Sequence, residues 1–298
     1  MGKKTEDLLK DELSAERDAV LKSFRSVGMD GKTVQFFRRA IYRHYRTRGR
    51  SMAWRETRDP YRILVSEFML QQTQVERVQK KYPEFLDAFP DFTALAGANL
   101  KGVLACWQGL GYNRRAKSLL GTARMVVESH GGELPSSREE MLALPGVGEA
   151  TAGALAAFAF NRPVVFIETN IRRVGLYFFF PGEASVRDSE LAPLLEEALD
   201  RRSPRKWYYA LMDYGSMLRR FVPNPNRMSA HYKRQSPFEG SDRQVRSGVL
   251  RLLLRTPGRT VAGMAQEMGV EVARTDAVVE GLCREGFLAG RRGKYYIP

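Results

Sequence analysis

Two glutamates stand in contrasting sequence environments. Glu67 lies within the apolar run 63–70, and a pocket lined by apolar side chains raises the pKa of a carboxyl group. Glu168 follows the apolar run 164–167 and directly precedes a predicted helix start, where the helix dipole favours the ionised form. One carboxyl that gives a proton and one that stays anionic form the pair that cleaves a glycosidic bond. At an N-glycosidic bond this chemistry releases a nucleobase.

Each glutamate also has a simpler explanation. Glu67 alone fits a solvated stripe on a helix, but Gln71 and Gln74 follow it at i+4 and i+7 and favour a polar pocket on one helix face. Glu168 alone fits a helix N-cap or an ion pair with Arg172. The two residues indicate catalysis only as a pair.

A glycine-rich turn runs into a small-residue helix at residues 144–155 (LPGVGEATAGAL). Gly146 and Gly148 permit positive φ and close approach, so the turn can aim backbone amides outward at the mouth of the helix. Such a turn binds phosphate. An ordinary Pro-Gly turn that caps a helix has the same pattern.

The overall charge indicates a polyanionic partner. The 298 residues contain 48 Lys and Arg against 34 Asp and Glu, which gives a formal net charge of +14. The pI is near 9.9. Nucleic acid is the partner that this balance favours.

Several classes of protein are excluded by what the sequence contains. No apolar run reaches the ~18 residues of a membrane span, and the first residues contain no apolar signal region. We expect a soluble, cytoplasmic protein, associated with the nucleoid if bacterial. The two cysteines, Cys106 and Cys283, are predicted to be reduced core thiols. No metal site is predicted, because His44, His130 and His231 are scattered and fit surface positions.

The periodicity of the chain predicts an all-α fold. An amphipathic N-terminal extension is predicted at 1–32, the main domain at 33–220 and a linker at 221–240. The predicted helices of these regions cover 5–26, 33–45, 60–82, 92–108, 113–130, 137–143, 149–160, 169–179, 188–202 and 205–219. The proline-rich stretch 221–227 cannot continue a helix.

Residues 241–298 read as a small winged helix-turn-helix domain. A helix at 243–254 precedes a second one that is capped by Thr260 and stopped by Gly269, and a third covers 272–285. Strands at 287–290 and 294–297 form the predicted wing. DNA contacts are predicted at Arg274, Arg291 and Arg292, with a protein-binding or bracing role as the alternative.

Four motifs resemble the helix-hairpin-helix (HhH-GPD) DNA glycosylase superfamily, and within it the MutY-type adenine glycosylases. They are 66–75 (SEFMLQQTQV), 107–112 (WQGLGY), the 144–154 turn and 210–215 (ALMDYG). The resemblance implies two helical lobes around a cleft that receives a base flipped out of double-stranded DNA. It also implies a protein that acts as a monomer.

The resemblance assigns roles to individual residues. Glu67 matches the general acid that protonates adenine, and Gln72 and Tyr112 match residues that enter the base stack. The predicted DNA-binding residues are Gln71, Gln72, Tyr112, Gly146, Val147, Gly148, Thr151, Arg274, Arg291 and Arg292. The lysine of the bifunctional relatives is replaced by Ala150, so strand cleavage through a Schiff base is not expected.

The chain departs from the family in three places. The catalytic aspartate, followed by Gly-Asn in the family, is Glu168 here, followed by Thr169 and Asn170. A carboxylate displaced by about 1 Å can slow a reaction on the order of 100-fold. The four cysteines of an iron-sulfur cluster fall near Arg219, Asn226, Ser229 and Gln235, so no cluster is expected. We expect residues 219–234 to fill that space by packing. The usual C-terminal domain is replaced by the predicted winged helix.

The sequence therefore predicts a monofunctional DNA glycosylase of base excision repair, with Glu67, Glu168 and Asn170 in the catalytic site. Adenine opposite 8-oxoguanine or guanine is the expected substrate. A uracil or thymine mismatch glycosylase of the same fold, and a non-catalytic DNA-binding protein, are the alternatives.

Overall fold

The computed structural model describes the backbone of residues 3–298 and the side chains from residue 7 onward. The described chain is mostly helical, as predicted. Its helices are α1 (Lys3–Val27), α2 (Gly31–Arg48), α3 (Ala53–Glu56), α4 (Pro60–Leu70), α5 (Val75–Ala88), α6 (Phe92–Ala96), α7 (Leu100–Trp107), α8 (Arg114–Ser129), α9 (Arg138–Ala143), α10 (Glu149–Phe158), α11 (Thr169–Phe179), α12 (Asp188–Ala198), α13 (Pro204–Phe221), α14 (Asp242–Arg255), α15 (Val261–Met268) and α16 (Val272–Arg284). A short 3₁₀ helix covers Pro225–Met228.

Two predicted helices are each divided in the structure. The helix expected over 60–82 ends at Leu70 and resumes at Val75, because Gln72 takes a left-handed conformation with φ 55°. The helix expected over 92–108 is α6 and α7, separated where Asn99 accepts a hydrogen bond from Gly102 N at 2.8 Å and so caps a new helix start. No α-helix can continue through either point.

The chain divides into two compact units, each built from two separate segments. The first joins the residues up to Arg58 to Gly148–Arg234, and we call it the Glu168 unit. The second joins Asp59–Val147 to Gln235–Pro298, and we call it the Glu67 unit. The domain boundaries drawn after residues 32, 220 and 240 stay predictions.

The Glu168 unit has an aromatic core between α2, α11 and α13. Phe37 contacts Phe178 and Trp207 with ring centroids at 5.1 and 5.8 Å. His44, predicted at the surface, is buried and packs edge-on against Tyr214 at 5.5 Å. The imidazole of His44 follows the apolar face of α2, on which Phe37 and Ile41 are also buried.

The Glu67 unit contains α4 to α9 and the three C-terminal helices. Every element predicted for 241–298 is present: Thr260 accepts a hydrogen bond from Gly263 N, and Gly269 ends α15 with φ 64°. Strands β1 (Ala289–Arg291) and β2 (Lys294–Tyr296) pair antiparallel, with Arg291 opposite Lys294. The two-residue turn between them has positive φ at Arg292 and Gly293, as a tight hairpin requires.

Two further features concern cysteines and membranes. Cys106 and Cys283 are unbridged thiols and half-buried rather than core residues, and burial raises the pKa of both. Within residues 3–298, no helix has the length and apolar character needed to cross a membrane.

Candidate active site

Glu67 is positioned by α4, a helix with a strong N-terminal signal. Asp59 accepts a hydrogen bond from Tyr61 N at 2.9 Å, and Pro60 occupies the first turn. Ile63, Leu64 and Phe68 are fully buried on this helix, whereas Glu67 is half-buried. The carboxyl therefore lies at the margin of an apolar face, one turn before the helix ends.

The segment after α4 is not helical, so the helix face predicted for Glu67, Gln71 and Gln74 does not form. Gln71 is the C-cap of α4, and Gln74 is the N-cap of α5. The expectation that Gln74 shares a helix face with Glu67 is therefore wrong, because the chain leaves the helix before reaching it. Gln72 between them is exposed and has φ 55°.

Arg115, which the sequence reasoning missed, holds this region together. Its side chain is 8% exposed, and its Nη1 donates to the carbonyl oxygens of Phe68, Met69 and Gln71 at 2.8, 2.8 and 2.6 Å. Its Nη2 donates to Thr73 Oγ1 and to the carbonyl oxygens of Leu110 and Gly111 at 2.9, 3.1 and 2.9 Å. One guanidinium thus satisfies the end of α4 and the loop before α8.

The electrostatics of Arg115 follow from these neighbours. Burial lowers the pKa of its guanidinium to about 10, and the group stays charged at neutral pH. The positive charge at the end of α4 matches the negative end of the helix dipole. A signal for this role is present in the sequence, because Arg115 precedes Ala116 and Leu119 on the buried face of α8.

Tyr112 is displayed on a strained backbone. It has φ 48° and is 39% exposed, and it is flanked by Gly111 with φ 71°. Trp107 Nε1 donates to Gly111 O at 3.1 Å and fixes the loop from behind. Non-glycine residues with positive φ cost of order 1 kcal/mol and cluster at functional sites. Both residues predicted to enter the base stack, Gln72 and Tyr112, have this conformation.

The two glycines of the glycine-rich turn differ in conformation and in surroundings. Gly146 has φ 79°, and a Cβ added there would lie 2.6 Å from Ser118 Cβ, so the fold needs glycine. Thr122 Oγ1 donates to Pro145 O at 2.8 Å and ties the turn to α8.

Gly148, expected to need positive φ, has φ −101° and is the N-cap of α10. A Cβ added at Gly148 would meet no atom within 4 Å. Gly148 itself is exposed at the start of α10. Buried Val147 and half-buried Thr151 flank it.

Glu168 is the N-cap of α11. Its Oε1 accepts hydrogen bonds from the backbone N–H of Asn170 and Ile171 at 2.7 and 2.8 Å, and Asn170 Nδ2 donates to Oε2 at 3.3 Å. Arg172 pairs with Asp188 at 2.6 Å instead of with Glu168, so the ion-pair explanation is wrong and the N-cap explanation is confirmed.

The pKa of Glu168 shifts in the direction opposite to that expected at a helix start. Burial of the carboxyl raises its pKa, and the two backbone donors and Arg173 oppose that rise without reversing it. The residue keeps part of its surface exposed while the carboxyl is desolvated. Its Oε2 has one long contact to Asn170, whereas Oε1 accepts both backbone bonds.

Asn170 is held from both sides. Arg173 Nη1 donates to Asn170 Oδ1 at 2.7 Å and to Gly215 O at 2.8 Å. A Cβ at Gly215 would overlap the carbonyl oxygen of Asn170, so the glycine of the 210–215 motif lets α13 approach the start of α11. This approach fixes the residues that carry Glu168.

The four positions expected to have replaced cluster cysteines do not form a ligand set. Asn226 and Ser229 are buried, and Arg219 and Gln235 are exposed. Asn226 Nδ2 donates to Thr169 O at 3.1 Å, next to Glu168. In the part of the chain with described side chains, no group of three or more His, Cys, Asp or Glu is placed to hold a metal. The donors present do not fit an iron-sulfur cluster.

The predicted DNA contacts of the C-terminal elements differ in their surroundings. Arg274 donates to Asp242 Oδ1 at 2.8 Å and to Gly240 O at 2.7 Å, so it braces the start of α14. Arg291 and Arg292 are exposed at the hairpin turn.

Known proteins resemble this chain over most of these residues. The family model for the HhH-GPD superfamily base excision DNA repair proteins matches residues 65–256. An adenine DNA glycosylase of Mycolicibacterium smegmatis is 32% identical over 235 residues, which cover 68% of this chain and 75% of that protein. An adenine DNA glycosylase of Buchnera aphidicola subsp. Baizongia pistaciae is 32% identical over 191 residues, 62% of this chain and 54% of that protein. The chain thus spans about half the length of the Buchnera relative.

A solved structure shows the same fold. The structure of a thermostable thymine-DNA glycosylase superposes with a TM-score of 0.55 at 28% identity, and the match covers 62% of this chain and 86% of that one.

Proposed function

The chain belongs to the HhH-GPD superfamily of base excision DNA repair proteins, and from that membership we propose that it is a DNA N-glycosylase that removes adenine from a mispair in double-stranded DNA. The proposal includes the expected pairing of adenine with 8-oxoguanine or guanine. The supporting relatives carry the name adenine DNA glycosylase.

In this proposal Glu67 is the general acid. An adenine that leaves as an anion is a poor leaving group, so protonation of a ring nitrogen is the step that lowers the barrier. Glu67 stands at the margin of a buried helix face, near the end of α4. A flipped-out adenine that reaches the end of α4 would meet this carboxyl.

Glu168 is proposed to face the sugar. As adenine leaves, positive charge develops at the anomeric carbon, and a nearby carboxylate stabilises it. Burial raises the pKa of Glu168, and the ionised form that this role needs is favoured by the two backbone donors and Arg173. Oε1 accepts both backbone bonds and Oε2 has the longer contact to Asn170, so Oε2 is the better placed oxygen for this task. Asn170 is the proposed positioning residue. Water then completes the hydrolysis at the anomeric carbon.

DNA would be bound by amides and by positive charge. The exposed start of α10 at Gly148 is the proposed phosphate contact, because the N-terminus of a helix favours anions. Gln72 and Tyr112 project from left-handed backbone positions and are the proposed residues that fill the stack when the base leaves it. The net charge of +14 supports binding that weakens steeply with salt.

Further parts of the proposal concern strand cleavage, the iron-sulfur cluster and the C-terminal residues. Ala150 stands where a lyase lysine would lie, so we propose hydrolysis without strand cleavage. Packing of 219–234 against the start of α11 is proposed to replace an iron-sulfur cluster. Residues 241–298 are proposed to be a winged helix-turn-helix domain that binds DNA, in a monomer that acts in the cytoplasm or on the nucleoid.

One observation carries the catalytic proposal. A single buried arginine, Arg115, joins the end of the Glu67 helix to the loop that displays Tyr112 and to the segment that contains Gln72. The acid and the two residues proposed to enter the stack are thereby built into one rigid feature.

The direct test uses duplexes that differ in one base pair. Purified protein is incubated with A opposite 8-oxoguanine, A opposite G, U opposite G and T opposite G, and abasic sites are revealed by alkali. Release from the two adenine duplexes alone supports the proposal. Binding without release from any duplex would contradict enzymatic activity and support a non-catalytic DNA-binding protein.

A second candidate is a thymine or uracil mismatch glycosylase. The observation in its favour is the 28% identity and TM-score of 0.55 with the thymine-DNA glycosylase structure. Release from the T or U duplexes alone, in the same experiment, would decide for it.

A further inference from the structure

The hydroxyl of Tyr112 is held by the C-terminal segment of the Glu67 unit. Arg243 Nη1 donates to Tyr112 Oη at 3.1 Å, and Gln235 Nε2 donates to the same oxygen. Arg243 Nη2 also donates to the carbonyl oxygens of Ser236 and Pro237, at 2.6 and 3.2 Å. One guanidinium therefore shapes the segment before α14 and contacts the tip of an exposed aromatic ring.

The helix that carries Arg243 is fixed to the loop of Tyr112 at a second point. Glu285, at the end of α16, accepts hydrogen bonds from Arg246 on α14 at 2.7 and 2.9 Å. It also accepts from Arg114, the first residue of α8, at 2.6 and 2.8 Å. Because α8 starts two residues after Tyr112, this carboxylate ties the C-terminal helices to the base of the same loop.

Two cation–π contacts to a buried ring reinforce the same attachment. Phe287 is buried, with Lys117 Nζ 5.4 Å and the Arg246 guanidinium 6.0 Å from its ring centroid. Lys117 Nζ also donates to Glu285 O. The attachment therefore combines ion pairs, hydrogen bonds and burial. These contacts fix α14 against α8.

We propose that Arg243, with Gln235, is a positioning residue that holds the Tyr112 ring ready to enter DNA. This inference rests on the proposed role of Tyr112 in the base stack. Arg115 fixes the backbone of Tyr112 through Gly111 and Leu110, and Arg243 fixes the far end of the ring. An exposed side chain held at both ends loses little conformational freedom on binding, which favours association.

In this proposal the C-terminal segment contributes to the DNA interface indirectly, because it holds the side chain of Tyr112. A latch that hides Tyr112 would have the same hydrogen bonds but the opposite effect. If the bonds had to break before DNA is bound, their removal would tighten binding.

The experiment measures the dissociation constant for a duplex that contains a tetrahydrofuran abasic analogue, by fluorescence anisotropy at fixed salt. The variants are Arg243→Met, Tyr112→Phe and the double variant. Arg251→Met, an exposed arginine on the same helix, is the matched control for the lost charge. Thermal unfolding checks that each variant folds.

We expect Arg243→Met and Tyr112→Phe each to weaken binding about fivefold, which corresponds to one immobilised side chain. The double variant should be no weaker than either single one, because both remove the same hydrogen bond. Gln235→Ala should give a smaller loss, and Arg251→Met less than a twofold one.

Equal losses for Arg243→Met and Arg251→Met would overturn the proposal, since charge alone would then explain them. Additive losses in the double variant, or tighter binding by Arg243→Met, would overturn it as well. The assay does not require base release, so a wild-type protein that binds the duplex without releasing any base would refute the proposed activity and leave this inference standing. Failure of the wild-type protein to bind the duplex would refute both.

Discussion

The two glutamates of the candidate site are supported in opposite ways. Glu67 lies within a helix whose end is held through its backbone carbonyls by a guanidinium from α8. Glu168 supports its own helix, because its carboxylate accepts hydrogen bonds from the first backbone N–H groups of α11. The end of the Glu67 helix is therefore held by another residue, Arg115, whereas the start of α11 is held by the carboxylate of Glu168 itself.

This contrast predicts how the two positions respond to substitution. At Glu67 a substitution that keeps the shape of the side chain should affect the chemistry more than the stability, because Arg115 holds the end of α4 through backbone carbonyls. At Glu168 the same carboxylate caps a helix and faces the proposed reaction, so a substitution affects both unless the cap is preserved. Loss of a cap costs about 1 kcal/mol.

The largest effect is expected at Glu67. Glu67→Gln keeps the shape of the side chain but gives no proton, so base release should fall on the order of 10³-fold or more. Single-turnover assays with the A opposite 8-oxoguanine duplex measure the rate. The melting temperature and the affinity for the abasic-analogue duplex should stay at wild-type values. Activity that persists in this variant would refute the acid assignment.

The next largest effect is expected at Arg115. Arg115→Met removes a buried donor shared by several carbonyl oxygens and leaves those oxygens unsatisfied, which should cost about 3 kcal/mol of unfolding free energy. Urea titration followed by circular dichroism measures this loss. Arg124→Met, an exposed arginine on the same helix, is the control and should cost less than about 1 kcal/mol. Equal costs would show that the Glu67 helix needs no such support.

At Glu168 two substitutions separate the cap from the charge. Glu168→Gln keeps an oxygen that can accept the amides of Asn170 and Ile171, so it should slow base release about 100-fold at nearly unchanged stability. Glu168→Ala should slow it similarly and also cost about 1 kcal/mol. If Glu168→Gln retained the wild-type rate, Glu168 would be a structural cap alone.

The two glycines of the 144–148 turn offer a matched pair. Gly146→Ala must clash with Ser118 at positive φ, so it should destabilise the protein by about 1–3 kcal/mol. Gly148→Ala meets open space and should leave the melting temperature unchanged but weaken duplex binding severalfold. The pair thus tests whether the α10 start is a support or a binding surface. Unchanged affinity in Gly148→Ala would remove it from the interface.

The smallest effect is expected at Glu285, a carboxylate with a purely structural role. Hydrogen bonds from Arg114, together with those from Arg246, outweigh burial and lower the pKa of Glu285 to about 2 from its usual 4.5. A lowered pKa contributes stability above pH about 4.5 that is lost as the pH falls toward 2. Arg114 is exposed, so we expect only about 1 kcal/mol.

Urea titrations of the wild type and Glu285→Gln between pH 7 and pH 2 check the Glu285 prediction. The difference in unfolding free energy should vanish at the acid end. A difference that is constant with pH would show that the ion pairs contribute nothing.

The elements with local signals could be predicted from the sequence. Thr260 and Gly269 bound α15 as expected. The hairpin turn expected at 291–293 is present but shorter, because Arg291 belongs to β1 and only Arg292 and Gly293 form the turn. The division of helix 60–82 could not be predicted, because the intervening segment contains no glycine or proline. The neighbours of left-handed Gln72, Gln71 and Thr73, are held by Arg115 from a distant part of the chain. The start of α10 at Glu149 was predicted correctly, but Gly148 does not use the positive φ that glycine permits, because it is the N-cap of that helix with φ −101°.

The candidate site was predicted in its residue types but not in its supports. Glu67, Gln72, Tyr112 and Glu168 were each chosen from motifs or local environment. Arg115, Arg243 and Glu285 act through contacts between segments far apart in the chain, and periodicity carries no information on such partners. The raised pKa of Glu168 was missed for the same reason, because burial depends on the whole fold.

The interleaved segments of the two units also bear on synthesis by the ribosome. Glu67 leaves the exit tunnel early, but the unit around it is completed only when residues beyond Gln235 emerge. Residues 148–234, which belong to the other unit, must be translated in between. The two units therefore cannot fold completely one after the other during synthesis, because a nascent chain that ends before residue 235 lacks the second segment of the Glu67 unit.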